Sequence, residues 1–332
     1  MRRREFIALL GSATGVWSLA ARAQQPPAVR RIGVLLSLAE SDPEGKAQFS
    51  GFTQALADLG WIDGRNVRME IRWGRGNIDQ IRTFAKELVA MQPDVILAHG
   101  TPVTAALHRE TRTIPIVFVT VSDPVGDGFV AGLPHPGGNI TGFLTSESAI
   151  TAKMFELLTE IAPGLKRVAI LFNPDTAPGG GTYYFREFEP AVRLNNVEPI
   201  AAHARSDAEI EAVVTSLGGE PGGGLVVMPD YFMLNHIGPI TLLAARNNLP
   251  AIYPWRSVVT TDGPLFSYGP DLRDIVRRGA PYIDRILRGE KPADLPVQVP
   301  VKFEMAVNVK TAKALGLTVP PSIRLRADEV IE

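Results

Sequence analysis

The chain has 332 residues, 45% of them hydrophobic and 21% charged, with a formal net charge of −1. That is ordinary globular composition with room for about two domains, and it excludes low-complexity, collagen-like and strongly basic nucleic-acid-binding classes. Cysteine is absent, so there is no disulfide framework, no thiolate nucleophile and no cysteine to carry a lipid anchor.

Residues 1–23, MRRREFIALLGSATGVWSLAARA, stand apart. Arg2, Arg3 and Arg4 form a positive start, Phe6 to Ala21 is mostly apolar, and Ala21-Arg22-Ala23 matches an A-x-A cleavage site. The apolar stretch is shorter than the roughly 20 residues of a membrane span. The pattern predicts a signal peptide cleaved near Ala23 rather than an uncleaved anchor. Arg3-Arg4-Glu5-Phe6-Ile7 resembles the twin-arginine export motif, so the general and twin-arginine routes both stay open. Removing Arg2, Arg3, Arg4, Arg22 and Glu5 leaves 30 basic and 34 acidic side chains, net −4. The expected product is a free periplasmic monomer with no electrostatic footprint for nucleic acid.

From Arg30 onward, short β-branched runs alternate with amphipathic stretches. RRIGVLLSL (30–38) reads as a buried strand. Phe49, Phe52, Leu56 and Leu59 are spaced as one helix face, which Gly60 ends. Strand 66–73, helix 78–91, strand 94–100, helix 101–111 and strand 115–121 follow. Pro124 is expected to open a helix capped by Asp123. PHPGGNITGF (134–143) marks a turn and a short extended piece. The alternation then restarts: helix 147–161, strand 166–173, helix 184–195, strand 197–202, helix 207–217, strand 224–230, helix 233–247, strand 250–254 and strand 264–269. Asp271 to Arg288 is a strongly amphipathic helix, 301–308 a last strand and 310–315 a short helix. Strands alternating with helices imply an α/β fold with parallel sheets covered on both faces.

The two halves resemble each other. RRIGVLLS (30–37) aligns with KRVAILFN (166–173), DVILAHGT (94–101) with GLVVMPDY (224–231), and Ile114-Pro115-Ile116-Val117 with Leu249-Pro250-Ala251-Ile252. Kept order and spacing point to two similar lobes.

Open parallel sheets bind ligands beyond the carboxyl ends of their strands. The residues there are Ser37, Thr101, Ser122 and Asp123 in the first half. In the second they are Asn173, Asp175, Asp230, Tyr253, Trp255 and Tyr268. Small polar groups with aromatics suit recognition of a small polar or aromatic solute. Each also has a plainer role. Asp123 and Asp230 can cap helices, Asn173-Pro174-Asp175 is a turn by composition, and the aromatics can pack a lobe.

Catalytic sets are thin. The five histidines (99, 108, 135, 203, 236) form no close pair, and no H-E-x-x-H is present, so no metal or cofactor is signalled. No dinucleotide fingerprint follows the first strand, and Gly179-Gly180-Gly181 lacks the lysine of a phosphate loop. Leu265-Phe266-Ser267-Tyr268-Gly269 approximates a nucleophile elbow but has leucine where the strained turn needs glycine. An exported hydrolase using Ser267 is thus the weakest reading, and a periplasmic ligand sensor for a membrane signalling partner is an alternative.

Several segments together carry a family resemblance. GT-P-V-T-A-A (100–106), IPIVFVTVSDPVGDGFV (114–130), PGGNITG (136–142), NPD (173–175) and GEKPADLPVQ…NVKTAKALGLTVP (289–320) resemble the ABC-transporter substrate-binding proteins of the tryptophan/tyrosine type. The resemblance spans about residues 30 to 320. It implies two Rossmann-like lobes joined by a three-crossover hinge with a ligand cleft between them. The N-terminal lobe would hold 30–142 plus 269–300, and the C-terminal lobe 143–268 plus 301–325. It also implies capture of a small solute, such as an amino acid, by interlobe closure and delivery to an ABC permease and its ATPase subunit. Thr101, Ser122, Asp123, Asn173 and Asp230 match its ligand-facing segments. Asp123 or Asp230 would pair with a ligand ammonium, and Tyr253, Trp255 or Tyr268 would stack on an apolar part.

Overall fold

The structure, a computed structural model, describes residues 29–259 and 263–332. The leader expected at 1–23 lies outside the described residues.

The first lobe begins with β1 (Arg30–Leu36), α1 (Pro43–Asp58), β2 (Val67–Trp73), α2 (Ile78–Ala90), β3 (Val95–His99), α3 (Thr101–Glu110), β4 (Ile116–Val121) and β5 (Ile140–Leu144). Its five strands are all parallel, in the order β2-β1-β3-β4-β5. The inner strands β1, β3 and β4 are apolar runs buried along nearly their whole length, as expected where helices cover both faces. Asp42 caps α1 by accepting from the Glu44 amide, with Pro43 in the first turn.

The second lobe follows with α4 (Ile150–Ile161), β6 (Arg167–Phe172), α5 (Thr182–Leu194), β7 (Glu198–His203), α6 (Asp207–Gly218), β8 (Gly223–Val227), α7 (Tyr231–Asn235), α8 (Ile237–Arg246), β9 (Ala251–Tyr253) and β10 (Phe266–Pro270). The chain then returns to the first lobe with α9 (Leu272–Leu287). It finishes in the second lobe with β11 (Phe303–Asn308), α10 (Val309–Ala314), α11 (Pro321–Arg326) and β12 (Glu329–Ile331). The second sheet runs β12-β11-β10-β9-β8-β6-β7, parallel except for the antiparallel β10–β11 pair.

Helix α9 packs lengthwise on α1 and lies over β3, β4 and β5. Its Ile275, Val276, Ala280, Ile283 and Leu287 join β1, β3 and β4 side chains in one core. Each large apolar side chain buried this way stabilises by about 1.5–3 kcal/mol. After α9, Gln298 pairs with β5: its amide donates to Gly142 and its carbonyl accepts from Leu144. The chain therefore crosses between sheets three times, after β5, after β10 and before β11. The first two crossings fall slightly later than the sequence placed them, because Phe143 and Leu144 extend β5 and Gly269 and Pro270 extend β10.

Two local readings need correction. No helix starts at Pro124: residues 124–128 form turns, and the Asp123 carboxylate accepts from the Gly126 amide at 2.8 Å, closing a turn instead. The helix expected over 233–247 is broken at His236 into α7 and α8.

Candidate functional site

A cavity of about 950 Å³ lies between the lobes, at the carboxyl ends of both sheets. This is the upper part of the range of about 300–1,000 Å³ usual for small-molecule sites. From the first lobe, Ser37 follows β1, Gly100 and Thr101 follow β3, and Ser122 follows β4. From the second lobe come Thr176, Tyr184, Asp230 and Trp255. Leu272 and Arg273 line it where the chain re-enters the first lobe. Arg82 and Arg109, both exposed, stand at its edge.

The β3–α3 turn is built for close approach. Gly100 has φ +91, a left-handed conformation that a side chain would strain, and no side chain caps α3. The first turn of α3 thus presents its amides and the Thr101 residue toward the cavity. On the next strand, Thr120 also has a left-handed φ of +59, at the register break between Val119 and Val121. A β-branched residue in that region carries about 1–3 kcal/mol of backbone strain. Its hydroxyl donates to the Val119 carbonyl at 2.6 Å, and the residue lines the cavity.

Behind Ser37 runs a buried polar chain. Ser37 Oγ is 3.0 Å from His99 Nδ1, and His99 Nε2 is 3.1 Å from Gln48 Oε1. Gln48 Nε2 donates to Glu44 Oε1 at 3.4 Å. Arg273 clasps the same carboxylate from α9, at 3.0 Å from Nε and 2.7 Å from Nη2. That guanidinium holds the Glu44 carboxyl below its ordinary value despite partial burial. His99 is buried, and desolvation lowers its pKa to about 4. It is neutral at pH 7.

Asp230 is 3% exposed and caps α7. It accepts from the Phe232 and Met233 amides, the Asn173 amide and the Thr176 hydroxyl, all at 2.9–3.0 Å. Burial raises its pKa and these four donors oppose the rise. The carboxylate ties the β6 and β8 loops together, so its acceptor capacity is largely occupied by the fold. Asn173 accepts from the Asp175 amide in a turn and does not reach the cavity lining, whereas Asp175 does.

Tyr184 and Trp255 are 1% and 6% exposed, and both line the cavity. Among the described residues, neither the Tyr184 hydroxyl nor Trp255 Nε1 has a hydrogen-bond partner. Ser122 lies close to the Tyr184 phenol without completing a hydrogen bond of ordinary geometry. Burial pushes the Tyr184 phenol well up, with the Asp230 charge adding to the shift. Unpartnered buried donors are costly, about 1–3 kcal/mol each.

The structure brings Ser37, Thr101, Ser122, Asp175, Asp230 and Trp255 together around the cavity, and it places Asp123, Asn173, Tyr253 and Tyr268 elsewhere. Asp123 faces a smaller opening with Tyr183 and Arg186. Tyr253 is 1% exposed in the core beneath α8, within hydrogen-bond reach of Thr241 at 3.2 Å. It belongs to lobe packing, because β9 ends at the residue that still points into the core. Tyr268 stacks on Phe303, with ring centroids 5.7 Å apart, against the core formed with α4. Of the three aromatics read as stacking groups, Trp255 alone lines the cavity. Ser267 is fully buried in β10, which removes it as an accessible nucleophile.

Asp127, Tyr184, Gln48 and His99 were not singled out from the sequence. Tyr184 begins the buried stripe Tyr184-Phe188-Val192 and so reads as core. Asp127 lines the cavity although the residue as a whole is exposed. Desolvation, and then the Asp123 charge, push its carboxyl up to about 6.

Comparison with known proteins bears on this geometry. The chain is 27% identical over 280 residues to a tyrosine-binding protein of Clostridioides difficile (strain R20291), covering 84% of this chain and 78% of that one. Among solved structures it is similar to an ABC domain in complex with L-Trp from Streptococcus pneumonia, with 25% identity and a TM-score of 0.81. It is also similar to the ligand-free, open structure of a Clostridium difficile substrate-binding protein with adhesive properties, with 25% identity and a TM-score of 0.72. In both cases the match covers 91% of this chain and 99% of the other. The model of the ABC transporter substrate binding protein family matches residues 31–331, essentially the whole described chain, and the chain belongs to that family.

Proposed function

We propose that this protein is the solute-capture component of an ABC importer, exported by its leader, and that it closes its lobes around an amino-acid-type solute. The observation that carries this reading is the 950 Å³ cavity built from the strand ends of both lobes, with three chain crossings beside it. The tyrosine-binding relative and the L-Trp complex support an aromatic amino acid as the first solute to test. The greater likeness to the L-Trp complex than to the open, ligand-free structure supports a closed arrangement of the lobes.

In this reading the α3 amino terminus and Thr101 hold a carboxylate. Tyr184 and Trp255 supply donors that have no partner among the described residues. With Asp230 engaged by the fold and Asp123 off the cavity lining, a solute ammonium takes Asp127 and neutral acceptors instead. Closure brings both lobes onto one solute, and the closed form docks on the permease.

Native mass spectrometry of freshly purified protein, followed by calorimetric titration with L-tyrosine and L-tryptophan, tests the reading. A carried small molecule, or saturable one-to-one binding, is expected. Absence of both across amino acids, aromatic acids and sugars would defeat it.

A further inference from the structure

We propose that the groove between α2 and α3 is a second subsite of the cavity, which takes an acidic tail of the solute, so that the protein favours elongated solutes with two acidic groups joined by an apolar spacer. This rests on the solute-binding reading above and narrows the class of solute. The cavity runs beyond the strand ends. On α2 it is lined by Ile78, Ile81 and Arg82, and on α3 by Pro102, Ala105 and Arg109. Spacings of i, i+3, i+4 on one helix and i, i+3, i+7 on the other mark a single face of each. The two helices pack side by side, so these faces form one trough.

The floor of the trough is apolar, and the short side chain of Ala105 keeps it open. Arg109 stands at its outer end, in the last turn of α3 and about 12 Å of helix rise beyond Thr101. Helical side chains lean toward the amino terminus, which brings that guanidinium back toward the solute. Its charge is available: among the described residues the Arg109 side chain has no ion-pair or hydrogen-bond partner. Arg82 pairs with Asp79 at 3.1 Å across an exposed helix turn, where such pairs contribute little.

The lining carboxylates oppose an acidic tail only weakly. Asp42 caps α1, Glu44 is held by Arg273, Asp175 by Arg205, and Asp230 by four donors. That leaves Asp127, which takes an ammonium in the reading above. Tyr184 and Trp255, each more than nine-tenths buried, add donors without a partner among the described residues, so the cavity as a whole asks for acceptors. Size points the same way. At about 30 Å³ for each water-sized atom, tyrosine fills roughly 400 Å³. That is less than half of the 950 Å³ present.

Two probe sets test this by calorimetric titration in low salt. One compares the diacids suberate and sebacate with the monoacids octanoate and decanoate. The other compares O-carboxymethyl-L-tyrosine with O-methyl-L-tyrosine and L-tyrosine. In each set the acid-tailed probe should bind about fivefold or more tighter, as ion pairs at an open site allow. The double variant Arg82→Ala, Arg109→Ala should shrink that preference to within about twofold. Ala105→Leu, which fills the trough, should weaken the acid-tailed probes about fivefold.

No preference for the acid-tailed probes, a preference that survives in the double variant, or unchanged affinity in Ala105→Leu would overturn the proposal. Binding of L-tyrosine without any gain from an acidic tail would overturn it and leave the amino-acid reading standing. Binding of the diacids alone would end the amino-acid reading and uphold the subsite. Binding of no probe at all would defeat both.

Discussion

Acidification should weaken this fold through His99 in a way that can be isolated. The ring is buried and neutral, with a pKa lowered to about 4 by desolvation, against 6.5 in an unfolded chain. Between those values the unfolded state binds a proton that the native state refuses. Stability from this group is therefore complete above about pH 6.5 and is lost as pH falls toward 4. At pH 5 the loss relative to pH 7 comes to about 2 kcal/mol, from the two pKa values and the proton-linkage relation. His99→Gln keeps an amide in the site and has no proton to gain. Guanidinium unfolding of both proteins at pH 7 and pH 5 isolates the effect, since every other titrating group is shared. The wild type should lose about 2 kcal/mol more than the variant. Losses equal within about 0.5 kcal/mol would show that the folded site accommodates the imidazolium, refuting the dry, neutral histidine.

Three further outcomes are expected. Tyr184→Phe removes a buried hydroxyl with no partner among the described residues, so the ligand-free protein should keep its stability or gain up to about 1 kcal/mol, while solute affinity falls about tenfold. A clear loss of ligand-free stability in that variant would show that the hydroxyl is already satisfied. Asp230→Ala strands four donors and should cost about 3–5 kcal/mol in urea unfolding. Asp230→Asn should cost less, because Oδ1 can still serve Thr176, Phe232 and Met233; an alanine loss below about 1 kcal/mol would contradict the anchoring role. Gly142→Ala places a methyl 2.0 Å from the Phe118 carbonyl, backbone of the adjacent strand, and should cost about 2 kcal/mol or more. Hydrogen exchange at the β4–β5 pair reads this out, and unchanged protection there would refute the clash.

Much of the architecture was legible because inner strands of a parallel sheet are continuous apolar runs. RIGVLL, VILAH, RVAILF and GGLVV announce themselves in that way. The amphipathic α9 was equally plain. The tail was not: α11 and β12 are short, and Leu325 and Val330 are exposed, so no periodic apolar face marks them. At the site, the strand-end rule named Ser37, Thr101, Ser122 and Asp230, all of which line the cavity. The rule failed at Tyr253 and Tyr268, since the direction of the last side chain on a strand depends on what packs over it. The His99 chain was illegible for another reason. Its members are 51 and 62 residues apart in sequence, and only sheet order brings them together.

The return of α9 to the first lobe governs how the chain can acquire its shape. Until residues 272–287 arrive, Val34, Leu36, Leu97, Val117 and Val119 lack the helix that seals them, and β5 lacks Gln298. A chain produced or threaded from its amino terminus therefore cannot complete its first lobe before nearly all of its second lobe is present. A fragment ending at Leu144 would expose an apolar sheet face and behave as an aggregation-prone intermediate rather than a domain. The crossings that join the lobes also make them interdependent during folding.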